Sequence, residues 1–342
     1  MIFNKYLFKS SIKKRAWLGV LLVICGLGAP PLTHGASPDD AASSSRAAAI
    51  EAFEDFALTL PGGRVLPLRA YRPAPGQAPR GLILFSHGLG GSRAAAPLLG
   101  MQWASRGYGA LFIQHPGSDE SIWRGLPVAE RAGALRDAAT AEQLLRRVRD
   151  VHQVIDALRD PGSSLAARLG IALTETRIGM AGHSFGARTT QIVAGQWVPS
   201  LDTSLTDERI RAALVLSPSS PRGLDPARVF AGVKRPWLLV TGTQDEIAIG
   251  ARLAQRMTVF PALAEGGKYE LVLDGAHHGD LVGRGRPVRD DARDPAGYMR
   301  AIAALSVAFW DAWLNEDLAA RRWLEGEGAR SVLTPADRWR HK

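Results

Sequence analysis

The chain has 342 residues, a formal charge of +9 and a single cysteine. With 46% hydrophobic and 22% charged residues it is neither intrinsically disordered nor fibrous, and one cysteine excludes a disulfide framework. Much of the charge sits at the start. Lys5, Lys9, Lys13, Lys14 and Arg15 precede an apolar run at 16–27, then Pro30, Pro31 and the small residues Gly35 and Ala36. Basic, apolar, small is the layout of a secretory signal, here residues 1–36. The run is shorter than the ~20 apolar residues that span a bilayer; an uncleaved anchor is the competing reading. Cleavage would remove five basic residues and no acidic one, lowering the charge from +9 to +4, so the basic balance is no nucleic-acid footprint. It would also remove Cys25, leaving an exported, periplasmic or secreted chain without thiols. Residues 37–54 read as a loose Ala/Ser-rich leader, and 55–342 as one domain.

Taken in order, 56–60, a Pro-Gly-Gly turn and 65–71 predict an antiparallel hairpin. The nearly unbroken apolar run 81–86 predicts a strand covered on both faces, leading into His87-Gly88-Leu89-Gly90-Gly91. This loop lacks the third glycine of a dinucleotide fingerprint, because Arg93 holds its place. A helix over 97–105 and a strand over 108–114 follow, and 115–137 carry no clear period and read as an insertion. Leu144, Val148, Val151, Ile155 and Leu158 recur at helical spacing until Asp160-Pro161-Gly162 stops them. Strands are expected at 177–183, 212–216, 237–240 and 269–273, the last closing the series. Residues 198–208 read as a second insertion, 279–295 as a solvated loop of alternating charge, and Ile302, Leu305, Phe309 and Trp313 as a final helix. Strands alternating with helices imply an α/β fold: a mostly parallel sheet with helices on both faces. Ligands of such sheets bind at the carboxyl ends of the strands.

Gly182-His183-Ser184-Phe185-Gly186, between a predicted strand and helix, fits the G-x-S-x-G nucleophile elbow. The glycines allow strand and helix to approach too closely for a Cβ, and the serine is held at a helix N-terminus. A hydroxyl is a poor nucleophile at neutral pH, so it needs a neutral imidazole, and that ring needs a carboxylate to orient it. Asp245, after the 237–240 strand, is the expected acid, with Glu246 facing solvent. His277 and His278, after the last strand, both offer an imidazole, and either completes the chain order Ser…Asp…His. The N–H groups of Phe185 and of Leu89, in the glycine loop, are the expected oxyanion donors. His183, inside the elbow, reads as a packed neighbour.

Ser86-His87-Gly88-Leu89-Gly90-Gly91 with Gly182-His183-Ser184-Phe185-Gly186 resembles the platelet-activating-factor acetylhydrolase (isoform II-like) and dienelactone-hydrolase-related branch of the α/β-hydrolases. Ala104-Ser105-Arg106-Gly107-Tyr108 and His115-Pro116-Gly117-Ser118-Asp119 extend the resemblance, which covers 55–315. It implies that the Leu89 and Phe185 amides hold the oxyanion. Those acetylhydrolases carry their acid one strand earlier, where this chain has Ser217. The placement of Asp245 is similar to that of bacterial polyester hydrolases and cutinase-like enzymes, whose D-G-A-S-H ending aligns with 274–278 and favours His278 as the base. Dienelactone hydrolases proper use a cysteine nucleophile, so Ser184 argues against their substrate.

The expected protein is thus an α/β-hydrolase-fold serine hydrolase of short-chain carboxylic esters. Its residues are Ser184, Asp245 and His278, with Leu89 and Phe185 at the oxyanion. It needs no metal or organic cofactor, binds no nucleic acid and keeps no membrane span once the signal is removed. A lipid-directed acetylhydrolase or phospholipase, a polyester hydrolase and an amidase or peptidase are rival enzymes. A non-catalytic binding protein on the same scaffold is the rival from another class.

Overall fold

The computed structural model describes residues 53–171, 177–199, 205–247, 250–285 and 294–342. The expected signal segment and nearly all of the leader lie outside them. Nine strands form one sheet in the order β1-β2-β4-β3-β5-β6-β7-β8-β9. The first two, β1 (Glu54–Thr59) and β2 (Val65–Tyr71), are the antiparallel hairpin, and β2 also runs antiparallel to β4 (Gly109–Ile113). From β4 through β3 (Leu82–Ser86), β5 (Ile178–His183), β6 (Ile210–Leu216), β7 (Trp237–Gln244) and β8 (Lys268–His277) all neighbours are parallel. Every residue of β3, β4 and β5 is buried, which is why their sequences are unbroken apolar runs rather than alternating ones.

Helices cover both faces. On one side α1 (Pro97–Ser105) and the helix Pro295–Leu314 bury Phe85, Trp103, Phe112 and Trp310 against each other. The Phe85 and Phe112 rings stack at 4.5 Å, and the Trp103 indole donates to Ser306 Oγ at 3.0 Å. On the other side α2 (Ala141–Arg159) and α3 (Phe185–Val193) bury Val148, Val151, Val154 and Ile155 against Leu82, Leu84 and Met180. Each such side chain contributes about 1.5–3 kcal/mol by leaving water. Local chemistry sets the helix ends: the Thr140 hydroxyl accepts from Gln143 N–H at the start of α2, and Asp294 accepts from Ala296 N–H ahead of Pro295.

One expectation is corrected. The 269–273 strand does not close the sheet, because β9 (Arg338–His341) pairs antiparallel along β8. Of its residues only Trp339 is buried, its indole donating to the Leu324 carbonyl at 2.9 Å, so the strand carries no apolar signature. The 115–137 insertion holds a short 3-10 turn, Glu120–Ile122, and a helix, Val128–Ala138. No residue of that helix is buried, so it shows no hydrophobic period. Among the described residues no helix is long and apolar enough to cross a membrane.

Candidate active site

Five adjacent parallel strands, β3, β5, β6, β7 and β8, end at one rim of the sheet, and each delivers a residue there. Ser184 sits between β5 and α3 at φ 58°, ψ −112°, where an L-residue is strained. The surroundings enforce it. A Cβ on Gly182 would collide with the Gly186 carbonyl, and one on Gly186 with the Ser86 carbonyl. Strand, turn and helix are therefore packed backbone to backbone, and the serine side chain turns outward into a cleft of about 740 Å³.

His278 lines the same cleft. Its Nδ1–H donates to Asp245 Oδ1 at 2.6 Å, which leaves Nε2 as the free ring nitrogen. His277, the last residue of β8, turns its side chain to solvent, so the structure separates the two adjacent histidines. Glu246 is exposed and Asp245 fully buried. Asp245 Oδ2 accepts from the Ser217 hydroxyl at 2.7 Å and the Thr241 hydroxyl at 2.8 Å, and Arg256 Nη2 lies 3.3 Å from Oδ1. Burial alone would raise the Asp245 pKa. The hydrogen bond from His278 and the Arg256 charge outweigh it and hold the group at about 2.

Ser217, Thr241 and Arg256 were not legible as site residues. Ser217 stands at φ 64° directly after β6, and its hydroxyl also lies 3.2 Å from His278 Nδ1. It bridges Asp245 and His278. Arg256 donates to the carbonyls of Asp245, Ser217 and Pro218, stitching the Asp245 loop to the end of β6. His183 donates from Nε2 to the His278 carbonyl at 3.0 Å, and the two rings lie 4.4 Å apart. Burial, and then the neighbouring His278, keep the His183 pKa well below its ordinary value, so it is a neutral brace.

The Leu89 and Phe185 residues line the cleft beside Ser184, and neither amide N–H has a hydrogen-bond partner among the described residues. The loop carrying Leu89 is held from below. Arg147, fully buried, donates to the His87 carbonyl and, at 2.9 Å, to the Ser118 carbonyl, and its guanidinium lies 4.7 Å from the Phe185 ring centre. It has no carboxylate within ion-pair distance among the described residues, and burial lowers its pKa to about 9. Arg147 thus touches both segments that bear the two free amides. From above, the 115–137 insertion clasps the loop: Trp123 donates to the Gly90 carbonyl at 2.7 Å, and Leu135 lines the cleft. The described residues of 198–208 do not line this cleft; several line a separate depression with Gly195 and Lys234.

The Ser184 hydroxyl itself makes no hydrogen bond among the described residues. The structure brings Asp245 and His278 into contact and Ser184 onto the same cleft, with the serine–imidazole contact open. Such contacts are often loose without substrate and tighten around it.

A second Ser–His–Asp set lies nearby. His115 Nδ1 donates to Asp150 Oδ2 at 2.9 Å, its Nε2 accepts from the Ser86 hydroxyl at 3.0 Å, and Arg64 grips Asp150 with bonds of 2.7 and 2.9 Å. Ser86, His115 and Asp150 are all buried to 1% exposure or less. Burial, outweighing Asp150, lowers the His115 pKa to about 4 and keeps the ring neutral.

No protein-family model and no curated protein matches the chain. Solved structures do. A ferulic acid esterase from Streptomyces cinnamoneus superposes with a TM-score of 0.53 at 20% identity, over 78% of this chain and 89% of its own. A PEG-bound cold-adapted esterase from an Arctic intertidal metagenomic library gives 0.49 at 20% identity over 77% and 94%. A dienelactone hydrolase from Anabaena variabilis gives 0.49 at 18% identity over 77% and 100%. The strand order, the crossovers and the first of these superpositions agree: the chain has the α/β-hydrolase fold.

Proposed function

We propose that the chain is a serine hydrolase of carboxylic esters. The observation that carries the reading is the strained, cleft-facing Ser184 beside an imidazole whose other nitrogen is held at 2.6 Å by a fully buried carboxylate. In this reading His278 Nε2 takes the Ser184 proton as the hydroxyl oxygen attacks the ester carbonyl. Asp245 fixes the tautomer and stabilises the imidazolium; its low pKa keeps it charged throughout. The Leu89 and Phe185 amides receive the oxyanion. The imidazolium then protonates the departing alcohol. Water, deprotonated by the same ring, attacks the acyl-enzyme and releases the acid. The cleft volume of about 740 Å³ suits a small-molecule ester.

The motif resemblance adds lipid-directed acetyl hydrolysis and polyester hydrolysis as candidate specificities, and we place short acyl chains first. Export through residues 1–36 belongs to the same proposal and is checked by N-terminal sequencing of the secreted product. The test of the chemistry is hydrolysis of 4-nitrophenyl acetate and labelling by a fluorophosphonate. Turnover or labelling that survives Ser184→Ala ends the reading and favours the non-catalytic alternative for this site.

A further inference from the structure

Among the described residues that line the cleft there is no Asp or Glu, whereas four arginines line it: Arg188, Arg222, Arg256 and Arg284. Arg256 is accounted for, since Asp245 neutralises it. Among the described residues Arg222 donates to the Gly250 carbonyl at 3.0 Å and faces no carboxylate, and the Arg284 side chain has no partner. Arg188 is the informative one. It lies one helical turn beyond Ser184 on α3, its N–H donating to the Ser184 carbonyl at 3.2 Å. Its guanidinium opens onto the cleft, 5.8 Å from the Phe185 ring centre, with no hydrogen bond and no ion pair among the described residues. Arg188 is exposed, so the guanidinium is open to an incoming group, and the protein around the cleft lowers its pKa below the ordinary arginine value. Elsewhere in the molecule several arginines meet a carboxylate: Arg64 holds Asp150, Arg69 holds Asp55, Arg209 holds Asp207 and Arg340 holds Glu270.

An accessible guanidinium without a counter-ion can take up an anion, and arginine's planar fork fits carboxylate or phosphate oxygens in pairs. Cationic groups around a low-dielectric cleft also concentrate anions there. We propose that the cleft selects esters bearing a carboxylate or phosphate in addition to the scissile bond, and that Arg188 engages that anion, with Arg222 and Arg284 adding to the attraction. The inference rests on the ester-hydrolase reading of the same site.

The experiment compares matched pairs. One carries the charge on the acyl side: the mono-4-nitrophenyl ester of hexanedioic acid against 4-nitrophenyl hexanoate. The other carries it on the alcohol side: 4-acetoxybenzoate against its methyl ester. The ratio of kcat/KM, anionic over neutral, is measured for the wild type, Arg188→Gln and Arg188→Glu. In the pair that matches the cleft, the ratio is expected to fall roughly 10- to 100-fold in Arg188→Gln, the range of a lost charged hydrogen-bonding partner. It should fall further in Arg188→Glu and shrink with added salt. Ratios unchanged in both pairs, or both members of each pair falling together, overturn the proposal. The parent reading fails differently: no neutral ester is cleaved, or cleavage survives Ser184→Ala. In that event calorimetric titration with hexanedioate decides the anion site on its own. Binding weakened by Arg188→Gln supports it, and binding absent or unchanged overturns it.

Discussion

Among the described residues the molecule holds two Ser–His–Asp constellations, and the better-connected one is sealed. Ser86, His115 and Asp150 form an unbroken chain of hydrogen bonds with no exposure to solvent. Ser184, His278 and Asp245 have one contact open and face a cleft. What separates them is everything around the three side chains. Ser86 is the last residue of a strand inside the sheet, whereas Ser184 is forced to positive φ at a helix start. The Phe185 and Leu89 amides beside Ser184 have no hydrogen-bond partner among the described residues. In the proposed reading it is access, strain and unpaired N–H donors that mark Ser184 out as the nucleophile, while the same three residue types without them form a scaffold. Here the sealed set sits directly under the His87–Leu89 loop, at the end of β3, and serves as its foundation.

Substitutions can break this contrast, beginning with the largest effect. Ser184→Ala should lower kcat by roughly 10⁴-fold or more and abolish fluorophosphonate labelling, whereas Ser86→Ala should still label and turn over. Equal losses in both would erase the distinction. Asp245→Asn should cost roughly 10³- to 10⁴-fold in kcat, because the amide favours the wrong tautomer of His278. Steady-state kinetics on a nitrophenyl ester measures both. Arg147→Lys should lower kcat by roughly 10- to 100-fold with a smaller change in KM, since it loosens the support of both oxyanion segments. A change confined to KM would remove Arg147 from that role.

The two sets also differ in how acid unfolds them. His115 is held neutral, with a pKa of about 4 against an ordinary 6.5. The stability tied to it is complete above pH 6.5 and is lost as pH falls toward 4, by about 3 kcal/mol. Asp245, at about 2 against 3.8, loses its share only between about pH 4 and 2, by about 2 kcal/mol. Urea denaturation across this range, with His115→Gln and Asp245→Asn, should remove the upper and the lower segment of the decline separately. The smallest effect is structural: Ser86→Ala should cost about 1 kcal/mol of stability for one buried hydrogen bond.

The parallel strands were readable because burial on both faces leaves mostly apolar residues in them, as in Leu82–Ser86 and Ile178–His183. β9 was not, because Arg338, Arg340 and His341 flank its single buried residue. In the site, Ser184 announced itself through glycines with a steric purpose. Ser217, Thr241 and Arg256 did not, since their value arises from meeting Asp245 in space, and a lone serine or arginine says nothing of such a meeting. His277 and His278 were indistinguishable by type; the pleat at the end of β8 sends one to water and the other to Asp245.

One consequence of β9 reaches the far side of the sheet. β8 is the strand whose end presents His278, and β9 occupies the hydrogen-bonding groups along its outer flank. Deleting the last five residues would turn that flank into a bare, apolar ribbon edge able to recruit a strand from another molecule. Carboxy-terminal trimming or bulky fusion at Lys342 therefore threatens clumping and a displaced imidazole in one stroke, whereas the opposite border, closed by the charged hairpin strand Glu54–Thr59, is the safer end to alter.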